Sequence, residues 1–121
     1  MFRYSKEERN KFFEGKHLHE VHEEIPSRIR DMFYVLNISG YFDYNMHTDY
    51  WDIFNVFIYR ELDGDWFRYE CEICGDGTVF YSGVREDGTE YDEELHFEHL
   101  EDFYSFFEDR LAEAVQRGFL R

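Results

Sequence analysis

Carboxylates are the residues whose number and spacing in this chain point most directly to chemistry. Between Glu86 and Asp109 the sequence EDGTEYDEELHFEHLEDFYSFFED holds eleven Asp or Glu in twenty-four residues, with no Lys or Arg. Tyr91, Leu95, Phe97, Leu100, Phe103, Tyr104, Phe106 and Phe107 interleave those acids. The segment can therefore bury one side and charge the other, which a disordered acidic tail cannot do. Rows of carboxylates on a rigid element can imitate the charge of a phosphate backbone and occupy Lys and Arg that otherwise grip nucleic acid. As general acids or bases they are too many for any one pair to stand out.

A second set of residues is of metal-ligand type. Cys71-x-x-Cys74 followed by His96-x-x-His99 supplies a Cys2His2 inventory for zinc. The 21 residues between the pairs exceed the usual finger spacing. In a regular strand, moreover, Cys71 and Cys74 point to opposite faces. A core Cys71 and an incidental Cys74 fit better than a zinc site, and no cofactor is expected. His17, His19, His22 and Glu23 do not match a His-Glu-x-x-His helix and read as polar surface. Neither Asp63-Gly64-Asp65 nor Gly75-Asp76-Gly77 opens a calcium loop. No nucleophile elbow, P-loop or dinucleotide fingerprint occurs. A non-catalytic protein is the expectation.

Composition narrows the partners. The 121 residues are 43% hydrophobic and carry a formal charge of −15. That is apolar enough for one folded domain with a modest core. Residues 1–60 hold 8 Lys or Arg against 10 Asp or Glu, whereas residues 61–121 hold 5 against 18. Direct contact with nucleic acid or an anionic membrane is disfavoured, since no basic patch exists to release counterions. A basic protein, or a divalent cation, is favoured. Met1–Gly15 is charged throughout, without the apolar stretch of a secretory signal. No apolar run is long enough to span a membrane, and two cysteines suit a reducing compartment. A cytoplasmic location follows as an expectation.

These side chains need elements to hold them. Ser5-Lys6-Glu7-Glu8 fits a capping box, opening a short helix that stops near Gly15. Residues 17–24 suit another turn or two, and Pro26 the first turn of a fresh helix. Ile29, Met32, Phe33 and Leu36 then follow helical spacing to a stop at Gly40. Tyr41, Phe42, Tyr44, Tyr50 and Trp51 form an aromatic cluster that reads as core plus a covering loop, with an interface as the alternative. Asp52–Arg60 has apolar residues on both faces, as a central strand does. Trp66–Ile73 alternates, with Phe67, Tyr69, Cys71 and Ile73 on one face and Trp66, Arg68, Glu70 and Glu72 on the other. Asp63-Gly64, Gly75-Asp76-Gly77 and Asp87-Gly88 mark turns. Further strands are expected at Thr78–Val84 and within Thr89–Phe97.

The expected architecture is α+β over residues 1–121 as one domain. Helices occupy 1–40, an antiparallel meander of three to four strands 41–97, and a long amphipathic helix 98–118 packed on the sheet. At about 100° per residue, that helix gathers Leu100, Phe103, Phe107, Leu111 and Ala114 on one side. Glu98, Asp102, Asp109 and Glu113 gather opposite, flanked by Glu101 and Glu108. Glu86, Asp87, Glu90, Asp92, Glu93 and Glu94 form a second patch. The expected function is inhibition or sequestration of a basic, nucleic-acid-binding protein or nuclease. Phage anti-restriction and anti-CRISPR proteins, and immunity proteins against nuclease toxins, use the same physical logic; the likeness is one of composition alone. Two alternatives remain: a zinc-stabilised module on Cys71, Cys74, His96 and His99, and an acidic interaction subunit with no nucleic-acid-related target. Monomer and homodimer are both compatible with the sequence.

Overall fold

The computed structural model describes residues 6–38, 41–47, 53–59, 67–84 and 89–116. Helix α1 (Lys6–Phe12) carries Glu7 and Glu8 in its first turn and Arg9 and Lys11 in its last, so both ends suit the helix dipole. The expected cap Ser5 lies outside the described residues. The chain leaves α1 through Glu14 at φ 55° and Gly15 at φ 78°. Gly15 N–H donates to Asn10 O at 3.0 Å and Glu14 N–H to Lys11 O at 3.4 Å, the bond pair that closes a helix through a left-handed residue. The stop near Gly15 is where the sequence puts it.

Helix α2 (Leu18–Val35) is continuous, which corrects the reading of Pro26 as the start of a fresh helix. Pro26 sits inside it, without an N–H to donate one turn back, an interruption that costs about 3 kcal/mol. Val21, Ile25, Ile29 and Met32 flank it as one buried stripe. At roughly 1.5–3 kcal/mol per buried side chain, that stripe outweighs the broken bond. The helix ends before Gly40. Asn37 takes the left-handed position at φ 54°; Ile38 N–H donates to Phe33 O at 2.9 Å and Asn37 N–H to Tyr34 O at 3.2 Å. Asparagine serves here because its short polar side chain tolerates that conformation.

Five strands follow, one more than the upper expectation. They are β1 (Tyr41–His47), β2 (Ile53–Tyr59), β3 (Phe67–Cys74), β4 (Thr78–Val84) and β5 (Glu90–His96). They pair antiparallel in the order β1-β2-β3-β4-β5. The extra strand is β1, part of the aromatic cluster read as core and loop. Phe42 and Tyr44 are half-buried, while Asp43 and Asn45 are exposed, so its period is two. Tyr50 and Trp51 lie outside the described residues, as do the Asp63-Gly64 and Asp87-Gly88 turns. The β2–β3 register is regular apart from a shift at Ile58/Tyr59. Helix α3 (Leu100–Gln116) completes the chain order.

Register sorts the sheet into two faces. Phe54, Val56 and Ile58 of β2, Tyr69, Cys71 and Ile73 of β3, and Val79 and Tyr81 of β4 are buried. They join one core cluster with Phe12 and Phe13, the α2 stripe, and Leu100, Phe103, Tyr104, Phe107, Leu111 and Ala114 of α3. Ring contacts connect the parts: Phe13 to Phe54 at 6.1 Å, Phe33 to Phe42 at 5.3 Å, and Tyr81 edge-on to Phe106 at 5.5 Å. The opposite face carries Asn55, Phe57, Glu70, Glu72, Phe80, Ser82, Asp92 and Glu94, none of them buried.

One turn ties sheet to helix. Between β3 and β4, Thr78 N–H donates to the Asp76 carboxylate at 2.9 Å and Gly77 N–H to Cys74 O at 3.0 Å. Gly77 O then accepts Phe97 N–H at 2.9 Å, just ahead of α3. Gly77 stands at φ 94°, and a Cβ there would meet Phe97 O at 2.1 Å. Alanine is excluded by conformation and by backbone contact together. At Gly15, by contrast, the nearest atom to such a Cβ is 3.8 Å away. Gly77→Ala is expected to lower stability by about 2–4 kcal/mol and Gly15→Ala by about 1 kcal/mol, measured as shifts in urea midpoint. Equal shifts would show that the Phe97 contact carries no weight.

Candidate functional site

Helix α3 places the proposed acids as its periodicity requires. Leu100, Phe103, Phe107, Leu111 and Ala114 are buried, and Glu101, Asp102, Glu108 and Asp109 are exposed. Glu98 precedes the first turn instead of lying within it. Asp102 and Glu101 fall in that first turn, where the dipole favours negative charge. The two faces of the helix are real, but its acids are not equally available.

Several are engaged within the chain. Arg28 of α2 grips Glu101 with both terminal nitrogens, at 2.7 and 3.0 Å, and its guanidinium lies 4.2 Å from the centre of the Tyr104 ring. Glu24 stands 3.8 Å from Arg28 and takes Lys16 Nζ at 3.0 Å. The result is a chain of alternating charges, Lys16–Glu24–Arg28–Glu101, crossing from α2 to α3. Arg110 repeats the pattern: it lies 5.1 Å from the Phe106 ring centre and reaches Glu93 and Glu113, each at 3.4 Å. Glu98 approaches Lys11 at 3.8 Å, a wide and exposed pair of little energetic consequence. Asp102, Glu108 and Asp109 remain the outward carboxylates of α3. On β5, Asp92 and Glu94 face outward, whereas Glu93 lies on the inner side by parity. Glu90 is exposed at the start of β5, and Glu86 and Asp87 lie outside the described residues.

The open face of the sheet is a second acidic surface, where alternation alone predicts no more than a solvated side. Glu72 pairs in register with Phe80, and Phe80 with Glu94. Glu70 likewise pairs with Ser82, and Ser82 with Asp92. Partners directly opposite share a face. Four carboxylates of β3 and β5 therefore border a β4 strip made of Phe80 and Ser82. The signal was in the sequence, as alternation in both strands; the turn registers that align them were not.

The metal-type residues do not converge. Cys71 is buried in the core and Cys74 at the strand end, both as free thiols. His96 is exposed on β5, and His99 Nδ1 lies 3.0 Å from Glu14 Oε1. Among the described residues no group of three or more His, Cys, Asp or Glu is placed to hold a metal ion. His17 and His19 stack at 5.7 Å, while His22 meets Phe54 edge-on at 5.0 Å; one is therefore drawn against the core, away from the polar surface expected for all three. Among the described residues no helix is long and apolar enough to cross a membrane. No known protein family, curated protein or solved structure matches the chain.

Protonation follows from these surroundings. The hydrogen bonds from Arg28 hold the Glu101 carboxyl below its usual range, and Glu101 in turn raises Arg28. Burial pushes the Cys71 thiol and the Tyr104 phenol upward, from ordinary values of 9.0 and 10.0. The Tyr104 hydroxyl is buried with no hydrogen-bond partner among the described residues, so ionising it inside the fold is doubly unfavourable.

Groups raised by folding contribute stability that is complete below their unfolded values and fades as pH rises past them. The urea midpoint is expected to fall from pH 8 to pH 10.5, by up to about 1.4 kcal/mol per pH unit for each ionising group. Over the same range the thiols should resist an aromatic disulfide reagent until the chain unfolds; rapid labelling at pH 8 would contradict the burial. Glu101 has the opposite sign, its contribution being present above the unfolded carboxylate value and lost as pH falls through the folded one. With side chains 37% and 52% exposed, the Arg28–Glu101 pair is well solvated, and Glu101→Gln should cost less than about 1 kcal/mol at pH 7. That difference should vanish in acid, as read by urea titration at both pH values.

Proposed function

We propose that this protein is a non-catalytic binder that inhibits or sequesters a basic, nucleic-acid-binding protein by presenting carboxylates in place of phosphates. The observation that carries the reading is the placement of Asp102, Glu108 and Asp109 on the outward side of a helix whose other side is core. In this reading α3 is packed along the sheet, held by the Phe106–Tyr81 contact and the shared cluster. A carboxylate row on such a support keeps its spacing, whereas the same acids on a flexible tail would lose entropy on binding. The formal charge of −15 acts in the same direction, drawing cationic partners at long range and repelling nucleic acid.

Glu98, Glu101, Asp102, Glu108, Asp109 and Glu113 are the proposed binders, with Glu86, Asp87, Glu90, Asp92, Glu93 and Glu94 as the adjoining patch. The internal arginines grade them. Asp102, Glu108, Asp109, Asp92 and Glu94 lead, because an incoming cation need not displace Arg28 or Arg110. An anti-restriction, anti-CRISPR or nuclease-immunity role fits this logic, with a cytoplasmic basic protein as target.

The test is to recover partners from a lysate and titrate the recovered protein at several salt concentrations. Binding is expected to weaken steeply with salt, and the triple variant E98K/D102K/D109K should lose at least about tenfold in affinity. Retained fold and affinity in that variant, together with a flat salt response, would refute the phosphate-mimic reading.

A further inference from the structure

We propose that Phe80, with Glu72 and Glu94 on either side, is a receptor for an arginine side chain of the protein partner, on the open face of the sheet. The proposal rests on the reading that the partner is cationic, and it specifies both where one of its side chains goes and which type it is.

The chain itself supplies the design rule. Two aromatic rings of the described structure are each served by two carboxylates and topped by an arginine. Arg28 lies 4.2 Å from the Tyr104 ring centre and meets Glu101 at 2.7 Å and Glu24 at 3.8 Å. Arg110 lies 5.1 Å from the Phe106 centre and meets Glu93 and Glu113 at 3.4 Å. In both cases the guanidinium carbon lies within about 5 Å of the ring centre while its nitrogens pair with two acids, by hydrogen bonds to Glu101, Glu93 and Glu113 and by a wider ion pair to Glu24.

Among the described side chains, Phe80, Glu72 and Glu94 make a third such set with no arginine on it. Phe80 is 37% exposed on the inner strand β4. Its register partners are Glu72 on β3 and Glu94 on β5. Opposed Cβ atoms on neighbouring strands lie about 5 Å apart, so the two acids bracket the ring across about 10 Å. That span lets a guanidinium rest on the ring with a carboxylate at each edge. Among the residues whose side chains are described, no Arg or Lys lies over Phe80 or pairs with Glu72 or Glu94. Glu70 and Asp92, which border Ser82 one step along, extend the negative field.

The chemistry discriminates among occupants. An apolar partner would have to desolvate two carboxylates, which is costly. A second copy of this chain would bring its own excess of acid against the face. Lysine satisfies the charge but is a compact, strongly hydrated ammonium. Arginine alone combines a stacking plane with donors at its rim.

The experiment uses the full chain and two short peptides, one alternating glycine with arginine and one alternating glycine with lysine. Titration should show the arginine peptide binding more tightly by about two- to fivefold. Amide resonance shifts should centre on residues 70–72, 80–82 and 92–94. Phe80→Leu, which keeps an apolar strand residue, should abolish the preference while retaining weaker binding of both peptides. The double variant E72Q/E94Q should weaken both, whereas D102N/D109N should weaken both without touching the preference. Equal affinity for the two peptides, an intact preference in Phe80→Leu, or shifts confined to α3 would overturn the arginine site and leave the cationic-partner reading standing. Binding of neither peptide at low salt would overturn both.

Discussion

The structure depends on parity. In a sheet whose side chains alternate with a period of two, a slip of one residue exchanges the faces of a strand. Here such a slip in β3 would drive Glu70 and Glu72 into the core and expose Tyr69, Cys71 and Ile73. Burying unpaired carboxylates is among the costliest errors a chain can make. The acids are thus part of what specifies the fold, as well as being its surface. The turn at Gly77 supports the same register, through its positive φ and its bond to Phe97.

Arginine is the second organising element. Only 13 basic residues stand against 28 acids, and Arg28 and Arg110 are placed where they do two things at once. Each covers an aromatic ring at the margin of the core and neutralises acids that would repel one another. Their thermodynamic contribution is modest because the pairs are solvated. Their larger effect is on the map of the surface, dividing carboxylates that are already satisfied from those still open to a partner.

Much of this was legible in the sequence, for reasons that differ element by element. Helix α3 announced itself because five apolar residues recur at helical spacing over four turns, and all five are buried. Strand β3 was equally plain, as alternation of apolar and acidic residues leaves few other arrangements. Strand β1 was obscured because Tyr41, Phe42 and Tyr44 look like an aromatic clump, and the alternation is visible only once Asp43 and Asn45 are given equal weight. Pro26 misled for a local reason: proline is a helix opener by propensity, and only tertiary burial of its neighbours keeps it inside one. The open-face site was beyond reach. Glu72, Phe80 and Glu94 are far apart in the chain, and their adjacency comes from two hairpin registers that composition does not encode.

Strand β5 has one further consequence. Among the described residues it pairs only with β4 and closes one side of the sheet, and an edge of that kind is a template on which a foreign strand could grow. Natural proteins discourage such growth by studding edge strands with like charges. Glu90, Asp92, Glu93 and Glu94 do so here. A second copy approaching edge to edge would have to bring two identical rows of acid together. Independently of any partner, like charge along this strand opposes edge-to-edge growth into extended β-aggregates.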